Sequence, residues 1–231
     1  MQDEERQLKN RLYELSDRGG CSEFLTTGEQ QVLSRTGLPC ALEGGHPEAE
    51  RRVADFGAAA KIACLEIAPL MEKFAGDVTH RDFLGALMGL GLRRETMGDI
   101  VLVGKRGYLF CLESVADFIM AQLSEVGRTR VKVTRGTLPE GAAALPEAVS
   151  VVVSSLRLDG LVAAVFDLSR AQSAELFAKE RVLLGGTPAK GPAQEARAGD
   201  IISVRGFGRF RFDGEARETR KGRLRVMIRK Y

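Results

Sequence analysis

The 231-residue chain has no tryptophan and only two histidines, His46 and His80. Most metal centres and His-based catalytic triads therefore lack raw material. Its four cysteines, at 21, 40, 64 and 111, show no C-x-x-C spacing. That argues against a zinc site or a disulfide framework and fits reduced thiols in a cytoplasm. No stretch approaches the ~18 unbroken apolar residues of a membrane span. The opening Met1-Gln2-Asp3-Glu4-Glu5 is too acidic for the start of a signal peptide. Long repeats and low-complexity tracts are also missing. What remains is 44% hydrophobic and 28% charged, with a mean hydropathy of -0.10. That is enough apolar material for packed cores, in one large domain or two to three small ones.

The net charge of +3 hides an asymmetry. Residues 154–231 hold 16 Lys+Arg against 9 Asp+Glu, whereas the preceding 153 hold 18 against 22. An acidic body carrying a basic module implies a polyanionic partner, nucleic acid or an anionic surface.

Periodicity divides the chain. Residues 1–58 read as a helical N-terminal segment: Leu8, Leu12 and Leu15 recur at helical spacing up to Gly19-Gly20. Thr27-Gly28-Glu29-Gln30 has the form of a capping box. Residues 59–135 change character. A strand over Lys61–Ala68 precedes a helix from Thr79 to about Leu90, with Thr79 as its N-cap and Asp82 near its positive end. A hairpin of Ile100–Val103 and Tyr108–Leu112 follows, turning through Gly104–Gly107. The next helix is capped by Ser114, with Val115, Phe118, Ile119 and Leu123 on one face, and a last strand alternates Val131 and Val133 with Arg130, Lys132 and Thr134. The order β-α-β-β-α-β predicts an α+β, ferredoxin-like domain of the kind used by RNA-recognition motifs. Residues 136–150 read as a linker, and 151–231 as a third unit. Two helices, one around Leu158–Val165 and one capped by the Ser169-x-x-Gln172 box, sit about three residues apart. Strands follow at Val182–Leu184, Ile201–Arg205, Arg209–Phe212 and Arg223–Arg229.

In that third unit Arg209 and Arg211 alternate with Phe210 and Phe212, and Arg223, Arg225 and Arg229 with Leu224, Val226 and Ile228. An arginine every second residue of a strand makes a row spaced about 7 Å apart, comparable to the phosphates of one nucleic-acid strand. With the basic helix start at Arg170, these rows predict one preshaped cationic surface. A weaker signal lies in Arg106-Gly107-Tyr108-Leu109-Phe110, a partial match to an RNA-recognition signature. It makes Lys105, Arg106 and Tyr108 candidates for a secondary RNA contact.

Three blocks, Ser154-Ser155-Leu156-Arg157-Leu158-Asp159, Leu168-Ser169-Arg170 leading to Ala174-Glu175-Leu176-Phe177, and Gly199-Asp200-Ile201-Ile202-Ser203-Val204-Arg205-Gly206, resemble the S4 RNA-binding domain. The resemblance implies that paired helices pack on structured RNA, with Arg157, Arg170, Lys179, Arg181 and Arg205 facing it and Ser169 and Gln172 at the helix start beside them. Asp159 would hold Arg157. Where that family has glycine after the second helix and Asn-Gly in the next turn, this chain has Glu180 and Gly185-Gly186.

A wider resemblance covers nearly the whole chain. Gly76–Gly91, Arg94-Glu95-Thr96-Met97-Gly98-Asp99-Ile100, Gly44-Gly45-His46-Pro47-x-Ala49-Glu50-Arg51-Arg52 and Phe207-Gly208-Arg209-Phe210 are similar to blocks of YlmH-type proteins. These are bacterial, with relatives in cyanobacteria and plastids. That family implies binding to ribosomal RNA of the large subunit and to peptidyl-tRNA, in rescue or quality control of stalled nascent chains. It also carries a cell-division association, so the alternative is a protein-docking adaptor working through the middle domain, at the Thr79–Leu90 helix and Arg93-Arg94-Glu95.

Enzyme motifs fail on spacing. His80-Arg81-Asp82 has Leu87 where a kinase loop needs Asn. Gly206-Phe207-Gly208 and Gly89-Leu90-Gly91 lack a third glycine for a dinucleotide loop. Arg157-Leu158-Asp159 mimics a pseudouridine-synthase triplet but falls inside the S4-like block. The expectation is a non-catalytic RNA-binding protein with no cofactor and no metal.

Overall fold

The computed structural model describes residues 2–219 and 222–231. The chain forms two compact units, 1–144 and 145–231.

The first unit opens with α1 (Gln2–Asp17), β1 (Cys21–Leu25), α2 (Thr27–Ser34), β2 (Ala41–Glu43) and β3 (Arg52–Asp55). The helical expectation for 1–58 thus holds for α1 and α2 and fails for the rest. The three strands form a sheet in the order β1-β3-β2. They are only three to five residues long, and β1 pairs with β3 across about thirty residues, for example Cys21 with Asp55, so no local periodicity announces them. Leu12, Leu25, Leu33 and Ala54 form a small core between the helices and this sheet. The α2 capping box sits one residue earlier than its sequence form suggested, on Thr26 and Glu29. The Gln30 amide instead donates to the carbonyls of Leu25 and Glu50.

The middle domain continues with β4 (Ile62–Pro69), α3 (His80–Gly89), β5 (Met97–Val103), β6 (Arg106–Leu112), α4 (Glu113–Gln122), β7 (Glu125–Val126) and β8 (Thr129–Arg135). The sheet order is β5-β6-β4-β8-β7 with every pairing antiparallel. This is the ferredoxin-like arrangement with a two-residue strand added at the edge. Phe83 and Leu87 of α3 and Ala116 and Ile119 of α4 share one core with Leu65, Ile67, Leu109, Cys111, Val131 and Val133. Both helices therefore cover the same sheet face.

Thr79 caps α3 as the sequence indicates: its hydroxyl accepts from the Asp82 N–H, and Asp82 answers at the Thr79 N–H. Ser114 does not cap α4. That helix starts at Glu113, behind Leu112, which makes no side-chain cap, and the Glu113 N–H bonds the Lys61 carbonyl. Ala116 takes the buried place expected of Phe118, whose ring is 46% exposed. The hairpin turn is the tight Gly104-Lys105 step, because β6 already begins at Arg106.

The second unit contains β9 (Ala148–Val153), α5 (Leu158–Phe166), α6 (Arg170–Ala178), β10 (Val182–Leu184), β11 (Thr187–Pro188), β12 (Ile201–Val204), β13 (Gly208–Glu218) and β14 (Leu224–Lys230). The sheet runs β11-β10-β12-β13-β14-β9. Its first strand begins inside the expected linker 136–150 and pairs with the last one, Val151 opposite Val226. Leu158, Leu161, Val162 and Leu176 of the helices pack on Ile202, Val204, Phe210, Phe212, Val226 and Ile228. The result is two layers, helices on one sheet face. The two helices are joined through three residues, with Asp167 in the left-handed conformation at φ 53°. The buried Ser173 hydroxyl ties α6 to the Asp159 carbonyl.

Candidate nucleic-acid interface

In the second unit the alternation that buries Phe210, Phe212, Val226 and Ile228 under the helices turns Arg209, Arg211, Arg225 and Arg229 to the opposite sheet face. Arg157, Arg170, Lys179 and Arg181 belong to the helix layer and its edge. The single cationic surface expected from sequence is therefore two surfaces, one on each side of the unit. A strand's period of two guarantees this separation once the aromatics face the helices.

On the helix layer, Arg157 precedes α5 and its guanidinium donates to the Asp159 carboxylate at 3.1 and 2.8 Å, the pairing foreseen from sequence. That bond raises the Arg157 pKa and lowers that of Asp159, and it outweighs burial, which pushes each the other way. Arg170 is the first residue of α6 and donates to the Ser154 hydroxyl at 3.1 Å. Its charge also helps to lower the Asp159 pKa, so Arg157 and Arg170 flank one carboxylate. Ser169 and Gln172 are engaged in the α6 cap: the Ser169 hydroxyl accepts from the Gln172 N–H at 3.2 Å, and the Gln172 carbonyl accepts from the Ser169 N–H at 2.9 Å. They position Arg170, and only the Gln172 amide nitrogen stays outside the box. Beyond them α6 is open: only Ser173 and Leu176 are buried along it, and Ala171, Ala174 and Ala178 lie exposed between Arg170 and Lys179. Small side chains there permit close approach of a bulky partner.

At the far end of α6, Lys179 pairs with Glu175 at 2.6 Å, and Arg181 donates to the Arg205 carbonyl at 2.7 Å. Glu180 adopts φ 50°. Its N–H bonds the Phe177 carbonyl and the Arg181 N–H bonds that of Leu176, the two-bond helix ending that ordinarily carries glycine at this position. Arg205 is exposed in the turn after β12.

On the sheet's outer face Arg209 stacks over the Tyr231 ring, 4.3 Å from its centroid. Arg211 lies opposite Arg229, and Asp213 binds both, at 3.4 and 2.6 Å. Arg225 is exposed, opposite Arg217 on β13 and Val152 on β9. Arg223 is not in the strand. It precedes β14, exposed, with its N–H on the Thr219 hydroxyl.

The middle-domain candidates fare differently. Tyr108 is 6% exposed and Phe110 3%. The Phe110 ring packs 4.8 Å from the His46 ring, and a Cβ on Gly45 would collide with it. Tyr108 has its hydroxyl on Glu66. Neither ring offers a face to a base, which corrects the assignment of Tyr108. The Lys105 ammonium donates to the carbonyls of Ala75 and Glu72, and Arg106 pairs with Glu66 and Glu72.

Arg51 and Asp99 belong to blocks far apart in the sequence, with no spacing that links them. In the structure they meet. The Asp99 carboxylate accepts the N–H groups of Glu50 and Arg51, at 2.6 and 3.2 Å, and lies 3.5 Å from the His46 ring. Burial pushes its pKa up, but His46 and those two N–H groups outweigh this and hold it below the ordinary carboxylate value. Arg51 donates to the carbonyls of Met97 and Phe24, and Arg94 to those of Met97 and Gly98. Burial lowers both arginines, Arg94 to about 10 with Arg51's charge beside it. A Cβ on Gly98 would stand 2.6 Å from the Phe24 ring. This cluster clamps the N-terminal sheet onto the middle domain, with Arg94 turned inward onto backbone carbonyls.

Arginine-lined layers on the C-terminal unit form cationic surfaces of the kind that bind polyanions. A family model described as "Putative RNA-binding domain in YlmH" matches residues 57–140. A relative from Bacillus subtilis (strain 168), "Ribosome-associated protein quality control protein P2", is 32% identical over 217 residues, covering 89% of this chain and 84% of that protein. The chain belongs to the YlmH family. A solved structure, "Cell division protein ylmH from Streptococcus pneumoniae", is 22% identical with a TM-score of 0.45, over 58% of this chain and 91% of that one.

Proposed function

We propose that the protein is a non-catalytic, cytoplasmic RNA-binding factor of the ribosome. Its C-terminal unit, an S4-type module, grips structured ribosomal RNA with adjacent peptidyl-tRNA on the large subunit, in quality control of stalled nascent chains. The name of the Bacillus subtilis relative supports the setting. The observation that carries the reading is Arg170, exposed at the start of α6 beside Arg157, where helix N–H groups and a guanidinium can engage one phosphate. The exposed alanines of α6 let RNA come close. Recognition by shape and phosphate contacts, rather than base sequence, is what a rigid helix pair with arginine ends supplies.

Arg170→Ala is expected to weaken RNA binding by about 1–3 kcal/mol with little change in unfolding temperature, since its side chain makes one exposed hydrogen bond. Co-sedimentation with large ribosomal subunits measures it, and unchanged co-sedimentation would defeat the assignment. If about five phosphates are neutralised, log affinity against log salt should slope near −3.5 to −4.5.

A further inference from the structure

The middle domain matches a family described as RNA-binding, yet the aromatic sheet face through which such folds stack bases is closed in this chain. Phe110 lies under Gly45 and His46, Tyr108 is buried, and Lys105 and Arg106 are held by the protein's own carbonyls and carboxylates. The cations that remain available lie elsewhere. Residues 128–135 read Arg-Thr-Arg-Val-Lys-Val-Thr-Arg, four cations and no carboxylate. Arg135 is taken by Glu113 and Asp117. Arg128, Arg130 and Lys132 are exposed, and among the described residues their side chains make no hydrogen bond or ion pair.

Their placement is regular. Val131 and Val133 enter the core beneath α3 and α4, so Arg130 and Lys132 project from the other sheet face, two residues apart and thus about 7 Å along the strand. β7 pairs with β8 at Thr129 and Arg130, and the Val131 N–H bonds the Ser124 carbonyl, so the edge is open beyond Val131. Arg128 sits in the Gly127-Arg128 turn, where a Cβ on Gly127, at φ 60°, would stand 3.8 Å from Asp82 at the start of α3, and Arg81, Asp82, Glu125 and Gly127 line one depression. This packing draws the exposed Arg81 toward the same end. Two carboxylates are nearby. Asp82 is committed to the Thr79 cap, and Glu125 stands opposite Arg130 across the hairpin. Among the described residues no ion pair joins either carboxylate to Arg128, Arg130 or Lys132, and the positive potential of the three attracts an anionic partner.

We propose that the β7–β8 hairpin edge, through Arg128, Arg130 and Lys132 with Arg81 beside them, is a second RNA-backbone contact surface, and that it replaces the closed aromatic face. The inference rests on the RNA-binding reading of the protein. It assigns this surface to phosphates rather than bases, so it adds affinity and salt dependence without sequence preference.

The test uses the full-length protein and purified large-subunit ribosomal RNA. The variant R128E/R130E/K132E should bind at least tenfold more weakly, and its log affinity–log salt slope should be shallower by about 2–3. UV crosslinks from the wild type should fall on peptides containing 128–132. K105Q should bind as wild type. Circular dichroism checks folding, and R128Q/R130Q/K132Q carries the test if the charge reversal unfolds the domain. Wild-type binding by the folded triple variants, with crosslinks confined to the C-terminal unit, overturns the proposal. So does loss of an acidic protein partner with RNA affinity intact. If Arg170→Ala and the triple variants alike leave RNA binding unchanged, the RNA-binding reading itself fails, which distinguishes the two.

Discussion

The two units use the same residue types in opposite ways. Both contain arginines or lysines alternating with apolar residues in strands, and both bury the aromatic rings of those strands. In the C-terminal unit Arg157 and Arg170 remain at the surface of the helix layer, with Ser154 and Asp159 as partners. In the N-terminal unit Arg51 and Arg94 are turned inward onto backbone carbonyls, and Phe110 lies beneath a glycine strap. A residue pattern that reads as a binding surface is one only when no other part of the chain covers it. The inward arginines should therefore matter for stability and the outward ones for RNA.

Asp99→Ala attacks the first half of that contrast most directly. Removing the carboxylate leaves two N–H groups without their acceptor and Arg51 and Arg94 half-buried without their shared counter-charge. The expected loss is about 3–5 kcal/mol, read as a fall in denaturant midpoint, whereas Arg170→Ala should leave the midpoint in place. The two variants thus dissociate stability from RNA affinity, and equal midpoints would erase the distinction. The pH dependence sharpens it. Asp99 is depressed in the folded protein, so its stabilisation is complete above the ordinary carboxylate value of 3.8. As pH falls below that value the unfolded chain takes up the proton first, and stability declines through the folded pKa. The gap in unfolding temperature between the wild type and Asp99→Asn should be constant near neutrality and shrink below about pH 4.

Gly45→Ala is the next largest. Gly45 has φ 87°, and a Cβ there meets the Phe110 ring. Backbone strain and overpacking together should cost about 2–4 kcal/mol. A wild-type unfolding temperature in that variant would mean the strap is loose and the aromatic face is available to RNA after all.

Much of the fold was legible because its signals are local. The helix cap at Thr79, the capping box at Ser169, the β-α-β-β-α-β order and the paired helices before a sheet all follow from spacings of three to four or of two. The misses are non-local. β1 and β3 pair across about thirty residues, and the start of β9 was hidden in an expected linker because its partner is the last strand of the chain. Tyr108 failed as a site residue for the same reason: the sequence places it on an outer sheet face, and only packing shows that face to be covered. The Arg157–Asp159 pair was readable, being two residues apart. The division of the arginines between two faces was latent in the alternation of β13 and β14, but it needed the helices' position to become visible.

The smallest effect sits at the end of α6, where the C-terminal unit departs from its own best geometry. Glu180 occupies the left-handed position of the helix ending, at φ 50°, and both hydrogen bonds of that ending form despite its side chain. A non-glycine residue held there carries backbone strain, while glycine would gain freedom in the unfolded chain, so the two effects partly offset. Glu180→Gly should therefore raise stability by only about 0.5–1 kcal/mol, seen as an unfolding temperature a few degrees higher. The same change removes a carboxylate located between Lys179 and Arg181 in the chain. Under the RNA-binding reading it should tighten RNA binding about two- to threefold at low salt, a gain that fades as salt screens it. A stability gain with no change in affinity would confine RNA contact to the Arg157–Arg170 end of the helix pair, and a loss of affinity would make Glu180 itself a contact.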